Sequence, residues 1–176
     1  VEYCDRIVFD LDPGDDLPWA AVNAAARELR ERLGDLKLKT FVKTSGGKGL
    51  HVMLPTDGTP WDEAKDFAHA MVLAMAADSP DKYVTKMTKS IRGGKIFLDY
   101  LRNGRGATSV VAYSTRAKKG APLSVPVSWD ELGPKVTPQK FTLRNISRRL
   151  GAMKRDPWAD VAKVKQRLPD LGKRRK

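Results

Sequence analysis

An α+β fold, with a mostly antiparallel sheet flanked by helices, is predicted by three features of the sequence. Short runs alternate apolar with polar residues, two longer segments repeat apolar residues every three to four positions, and Gly- or Pro-marked turns separate neighbouring strand candidates. The 176 residues and 41% hydrophobic content suffice for one domain with a single core. There is no internal repeat and no low-complexity block.

The first strand runs from Ile7 through Val8-Phe9-Asp10-Leu11-Asp12 and stops at Pro13-Gly14. A helix follows from Asp16, with Pro18 in its first turn, Trp19, Val22, Ala26, Leu29 and Leu33 on one face, and Gly34 at its end. Lys37 to Lys43 alternates as a strand with Leu38, Thr40 and Val42 on one side. After a Gly-rich break, Leu50 to Leu54 forms another strand, closed by Pro55. Thr59-Pro60 opens a second helix whose stripe of Trp61, Ala64, Phe67, Ala68, Met71 and Met75 reads as core; His69 within it reads as structural. Beyond the basic stretch Lys86 to Lys95, the segments Ile96 to Leu101 and Thr108 to Tyr113 are expected to form a hairpin around Arg102-Asn103-Gly104-Arg105-Gly106. Four prolines, 122, 126, 134 and 138, mark an irregular crossing. Thr142 to Leu150 and Pro157 to Leu168 are expected as short helices. They make residues 1–168 one unit, before a basic tail, 169–176, that is expected to fray.

Charge narrows the function. Lys and Arg number 33 against 21 Asp and Glu, a net charge of +12, but residues 1–88 carry −4 and residues 89–176 carry +16. An acidic half beside a basic half suits a protein that holds cations on carboxylates and polyanions on Lys and Arg; the plainer alternative is a solvated basic surface. One cysteine and two histidines exclude an internal disulfide and a Cys/His zinc site. With no bilayer-length apolar run and no signal-peptide pattern, the expectation is a soluble, cytoplasmic chain without membrane partners.

Asp10 and Asp12 stand two apart on a strand, so their carboxylates share a face while Leu11 turns to the core. Asp99, within Phe97-Leu98-Asp99-Tyr100-Leu101, would be a costly half-buried charge unless paired or metal-bound. Three such carboxylates suit Mg²⁺ or Mn²⁺, and two ions would support in-line displacement of pyrophosphate. An Asp-x-Asp alone is weaker, since acids at that spacing also end strands in solvent.

The loop Thr44-Ser45-Gly46-Gly47-Lys48-Gly49-Leu50-His51 has the makings of a phosphate cradle: glycine backbone N–H groups, the Ser45 hydroxyl, the Lys48 charge and the His51 ring. It lacks Walker A spacing and joins two strands, so a hairpin turn with incidental Lys and His is its plain alternative. Arg102, Arg105 and Arg116 are expected near the carboxylates, and Arg92 just before the Asp99 strand. They would face a triphosphate or nucleic-acid backbone, or else form a solvated basic face.

These residues resemble the polymerase domain of bacterial ATP-dependent DNA ligase D, in the archaeo-eukaryotic primase superfamily. Ile7-Val8-Phe9-Asp10-Leu11-Asp12-Pro13-Gly14 resembles its first metal motif, Ser45-Gly46-Gly47-Lys48-Gly49-Leu50-His51 its Ser-x-Gly-x-Gly-x-His motif, and Phe97-Leu98-Asp99-Tyr100-Leu101-Arg102-Asn103 its third. The likeness continues through Tyr113-Ser114-Thr115-Arg116, Ser128-Trp129-Asp130-Glu131-Leu132, Phe141-Thr142-Leu143-Arg144-Asn145 and Asp156-Pro157-Trp158-Ala159-Asp160.

The resemblance implies a primase-polymerase catalytic core in which Asp10, Asp12 and Asp99 bind two divalent ions, Mn²⁺ or Mg²⁺. It implies that Ser45, Gly47, Lys48, Gly49, His51, Arg102 and Arg116 hold the nucleotide, with Arg92 and Arg105 near DNA. The implied activity is addition of NTPs or dNTPs to DNA 3′ ends during bacterial non-homologous end joining. A Ku homologue, DNA ends with a 5′-phosphate and a ligase domain of the same polypeptide are the implied partners, and the nucleoid the implied place. Only nine residues precede Asp10, where the family domain normally begins well upstream. The resemblance therefore implies the C-terminal portion of that domain, or a shortened version of it, without the part carrying the 5′-phosphate pocket, the template-stacking residues and part of the ribose site.

Two rivals use the same residues. A haloacid-dehalogenase-type phosphatase also ends a strand on Asp-x-Asp, although Pro13-Gly14 stands where that family usually has Gly-Thr. A non-catalytic nucleic-acid-binding module would need only the basic half.

Overall fold

Alternation governs the first strand from Ile7 onward. In the computed structural model, which describes residues 2–169, β1 spans Tyr3–Pro13 and buries Ile7, Phe9 and Leu11 on one face, while Val8, Asp10 and Asp12 take the other. The helix α1 (Trp19–Asp35) packs Val22, Ala25, Ala26, Leu29 and Leu33 against the Ile7 face. It runs through Gly34 rather than ending on it. Lys37, at φ 62°, is the left-handed residue, and N–H groups of Lys37 and Leu38 return to the carbonyls of Gly34 and Leu33. That cap uses Lys37 and Leu38, so the next strand, β2, is confined to Phe41–Thr44 and does not begin at Lys37.

The strand β3 (Leu50–Pro60) continues past Pro55, which pairs with Arg6 beside a register irregularity of β1. The helix α2 (Trp61–Asp78) adds Ala64, Phe67, Ala68, Met71 and Met75 to the same core, and His69 stacks on Tyr100 with ring centroids 4.2 Å apart. Three short strands complete the sheet: β4 (Tyr83–Val84), β5 (Ile96–Asp99) and β6 (Pro126–Val127). Their order is β4-β5-β1-β3-β2-β6, with every pairing antiparallel except β4 with β5.

The hairpin expected from Thr108 to Tyr113 does not form. Because β5 already has β1 on one side and β4 on the other, no edge remains for a returning strand. The chain instead turns through a short 3₁₀ helix at Leu101–Asn103 and crosses irregularly to Tyr113. Nor is Pro157 to Leu168 an α-helix. Only Val161–Lys163 makes a 3₁₀ turn, because Gln166 is drawn out to hydrogen-bond the Lys39 backbone and the Pro55 carbonyl. The helix expected from Thr142 is α3, Ile146–Ala152. The tail expected to fray lies, save Pro169, outside the described residues.

Both long helices thus cover one face of the sheet. On the other, Val8, Phe41 and Met53 form a small cluster under Trp158, Val161 and Val164, leaving the Asp10 end open. No helix among the described residues is long and apolar enough to cross a membrane.

Candidate active site

Four polar residues cross the face opposite the two long helices in register. Asp99 on β5 stands opposite Asp10 on β1, Asp10 opposite His51 on β3, and His51 opposite Lys43 on β2. The period of two that buries Leu50, Val52 and Leu98 on the helix side places all four on the other. His51 Nε2 lies 3.5 Å from Asp10 Oδ1, and Arg102 reaches Asp99 at 3.2 Å and Asp10 at 3.6 Å. Asp99 Oδ1 also accepts the Leu101 N–H at 2.8 Å. One step along β1, Asp12 pairs with Arg92 at 3.1 Å, and that guanidinium covers the Phe97 ring 4.0 Å from its centroid.

Burial alone would raise the Asp10 carboxyl, but the His51 hydrogen bond, with the nearby charges of Arg102 and Lys43, holds it below its ordinary value. Asp12 moves the other way. Burial and the Asp10 charge push it up, against Arg92, Lys48 and Lys118.

The Ser45–Gly49 loop closes on itself. Ser45 Oγ accepts the N–H groups of Gly47 at 3.1 Å and Gly49 at 3.3 Å, which leaves its own hydrogen to donate. Gly46, at φ 66°, sits over Arg116, where a Cβ would fall 2.7 Å from that side chain. At Gly49 a Cβ would come within 2.0 Å of the Leu11 carbonyl oxygen, so β1 and β3 can approach only around a glycine. Arg116 donates to the Ser45 carbonyl at 3.2 Å, and Lys48 pairs with Asp15.

The row and the loop share one cavity of about 950 Å³. Asp10, Asp12, Ser45, Gly47, Lys48, His51, Arg92, Arg102 and Arg116 line it; Asp99 lies buried against Asp10, and Gly49 is tucked against Leu11. Arg105 is not brought in: it is exposed and pairs with Glu2 at 3.0 Å. Sequence reasoning missed Lys118 and the Thr108–Val110 wall, which follow from the chain crossing here instead of returning as a strand. It also missed Lys43, whose signal was a lysine within an apolar alternation two residues before Ser45.

As donors, Asp10, Asp12 and Asp99 are hard oxygens, and Asp12 is raised by burial first and then by the Asp10 charge, the second of which a cation would relieve. Among the described residues no three Asp, Glu, His or Cys side chains are gathered around one point, and Arg92 and Arg102 pair with the carboxylates.

Residues 1–158 match the family described as "LigD, primase-polymerase domain". The chain belongs to that family. The LigD relatives include the "Multifunctional non-homologous end joining protein LigD" of Pseudomonas aeruginosa, 44% identical over 170 residues, which are 96% of this chain and 20% of the relative. The "Multifunctional non-homologous end joining DNA repair protein LigD" of Mycobacterium tuberculosis is 38% identical over 133 residues, 72% of this chain and 17% of the relative. A solved structure, "Polymerase Domain from Mycobacterium tuberculosis Ligase D in complex with DNA", superposes with a TM-score of 0.85 at 30% identity, covering 95% of this chain and 57% of that one. The mixed α+β architecture is therefore that of the LigD polymerase domain. This chain spans a fifth or less of those two curated LigD relatives.

Proposed function

We propose that this chain is the nucleotidyl-transferring part of a DNA ligase D, extending DNA 3′ ends with NTPs or dNTPs in non-homologous end joining. The observation that carries this reading is that Asp10 and Asp12, with Asp99 against them, share one cavity with Lys48, His51, Arg102 and Arg116. A 3′-hydroxyl would form the new bond to the α-phosphorus, giving up its proton to solvent, while the bond from the α-phosphorus to the bridging oxygen of the β-phosphate breaks, releasing pyrophosphate. Asp10, Asp12 and Asp99 would hold two divalent ions, Mn²⁺ or Mg²⁺, whose chemistry is to activate the attacking oxygen and neutralise the leaving one. Lys48, Arg116, His51 and the Ser45 hydroxyl orient the triphosphate, while the loop N–H groups already spent on Ser45 keep the cradle's shape. Arg102, which pairs with Asp99 and Asp10, would turn toward a bound phosphate, and Arg92, which pairs with Asp12, toward primer or template. DNA bearing a 5′-phosphate, a Ku homologue and a ligase domain on the same polypeptide complete the proposed setting.

The test is Mn²⁺-dependent addition of a labelled nucleotide to a recessed DNA end with a 5′-phosphate, comparing the parent with Asp99→Ala and Asp10→Asn. Extension by the parent, abolished in both variants, is the expected result. No extension by a folded parent that still binds DNA would leave a nucleic-acid-binding module instead.

A further inference from the structure

Lys43 takes no part in the grip described above, yet it is 4% exposed and needs partners. Its Nζ lies 2.6 Å from Ser124 Oγ and 3.1 Å from His51 Nδ1. Ser124 spends its own hydrogen on the Thr44 carbonyl at 2.8 Å, so toward Lys43 its oxygen accepts. An ammonium group carries three donors and no lone pair, so in the remaining contact His51 Nδ1 is the acceptor. The ring hydrogen then sits on Nε2, which faces Asp10 on the cavity wall.

We infer that Lys43 is a positioning residue that fixes His51 Nδ1 as an acceptor and Nε2 as the N–H side of the ring, so that the ring presents one N–H donor to the cavity. A carbonyl or carboxylate at Nδ1 would do the reverse: it would take a hydrogen from Nδ1, leave a lone pair on Nε2 and make the ring a base or a metal ligand. A lysine excludes both roles. The lock is anchored from the opposite side by β6 and its approach, where the Val125 N–H and the Ser124 hydroxyl both bond Thr44. Burial draws Lys43 down to about 7, against the Asp10 charge and with that of Arg116, so the ammonium form holds below that pH. The inference rests on the proposed function only for what the donor meets, the anionic oxygen of a bound triphosphate.

The chain has two histidines, His51 and His69, which makes the tautomer directly readable. The full chain, labelled with ¹⁵N-histidine and measured below pH 7, should show His51 with a bare Nδ1 and a protonated Nε2, with His69→Gln supplying the assignment. Lys43→Met should mix the tautomers and weaken binding of inorganic tripolyphosphate about tenfold. Lys43→Gln, whose amide N–H can still donate to Nδ1, should restore the tautomer. A hydrogen on Nδ1 in the parent, or an unchanged tautomer in Lys43→Met, would overturn the lock. A hydrogen on Nδ1 in the parent overturns the lock even if Lys43→Met does not fold, and Lys43→Gln then carries the comparison. An Nε2–H ring in a chain that binds no tripolyphosphate would uphold the lock and overturn the nucleotide reading instead.

Discussion

The Asn103 side chain stands in for a strand beside Val8: its Oδ1 accepts the Val8 N–H at 2.7 Å and its Nδ2 donates to the Val8 carbonyl at 2.9 Å. The β5 ladder reaches only as far as Asp10, so without Asn103 both backbone groups of Val8 would face a gap in the sheet. A third bond, from Nδ2 to the Tyr100 carbonyl at 2.8 Å, closes the 3₁₀ turn that carries Arg102 over Asp10 and Asp99. Replacing Asn103 with Ala should therefore destabilise the chain by about 2–4 kcal/mol in urea unfolding, through buried groups left unpaired. It should also reduce nucleotide addition under conditions where the variant remains folded. Activity unchanged in the folded variant would separate Asn103 from the placement of Arg102.

Gly49 makes a sharper steric prediction. A methyl group there would overlap the Leu11 carbonyl, which is backbone of the central strand and cannot swing away. Gly49→Ala should force β3 off β1 next to Asp12, costing about 3 kcal/mol or more and lowering the melting temperature. Gly93→Ala, where nothing lies within 4 Å of the added methyl, is the control and should leave the melting temperature nearly unchanged. Equal melting points for the two variants would contradict the close approach.

The parts of this fold legible in the sequence were those with a strong period. The stripes of α1 and α2 and the alternation around Asp10 place the two helices and the central strand, and the latter also fixes the face on which Asp10 and Asp12 stand. What was not legible depended on partners distant in sequence. The strands β4 and β6 have two residues each, too few for any period, and exist because β5 and β2 offer them edges. Thr108 to Tyr113 has strand composition but meets a β5 that is already paired on both sides. In the candidate site, the motif residues converge because their strands are neighbours. Asn103 was visible within its motif, but its role depends on Val8, 95 residues away.

Asp12 offers a test of the carboxylate pair that does not require turnover. Its carboxyl is raised by burial and by Asp10, so between the ordinary 3.8 and the raised value the folded chain holds a proton that the unfolded chain has lost. That contribution stabilises the fold at low pH and fades as pH rises through the shifted value, leaving two repelling charges. A divalent ion should relieve them. At a hundred times its dissociation constant, Mn²⁺ or Mg²⁺ should add about 2.7 kcal/mol to the parent, read as a rise in melting temperature. Asp10→Asn should lose most of that rise and bring the Asp12 titration back toward its ordinary range in a ¹³C-carboxyl NMR experiment. A metal-induced rise that survives Asp10→Asn would place the ion elsewhere.

Lys43 should leave a signature of opposite slope. Its pKa falls from 10.5 to about 7 in the folded chain through burial, partly offset by Asp10 and reinforced by Arg116. Between those values the unfolded chain binds the proton and the folded chain does not, so stability rises with pH across that window and is lowest below it. Each pH unit is worth at most about 1.4 kcal/mol for one proton. Tyr83 and Tyr113, pushed up chiefly by burial and also by their bonds to Glu28 and Asp156, pull the other way once unfolded tyrosine begins to ionise near 10. Cys4, raised chiefly by burial, does the same once its unfolded thiol begins to ionise below 9.0, so the useful interval lies between about pH 7 and 8. Urea unfolding of the parent across it should show a rising midpoint, and Lys43→Met should flatten the rise while removing a buried charge that the fold must otherwise desolvate at lower pH. A slope of the same size in Lys43→Met would assign the missing proton to another group and leave Lys43 charged throughout.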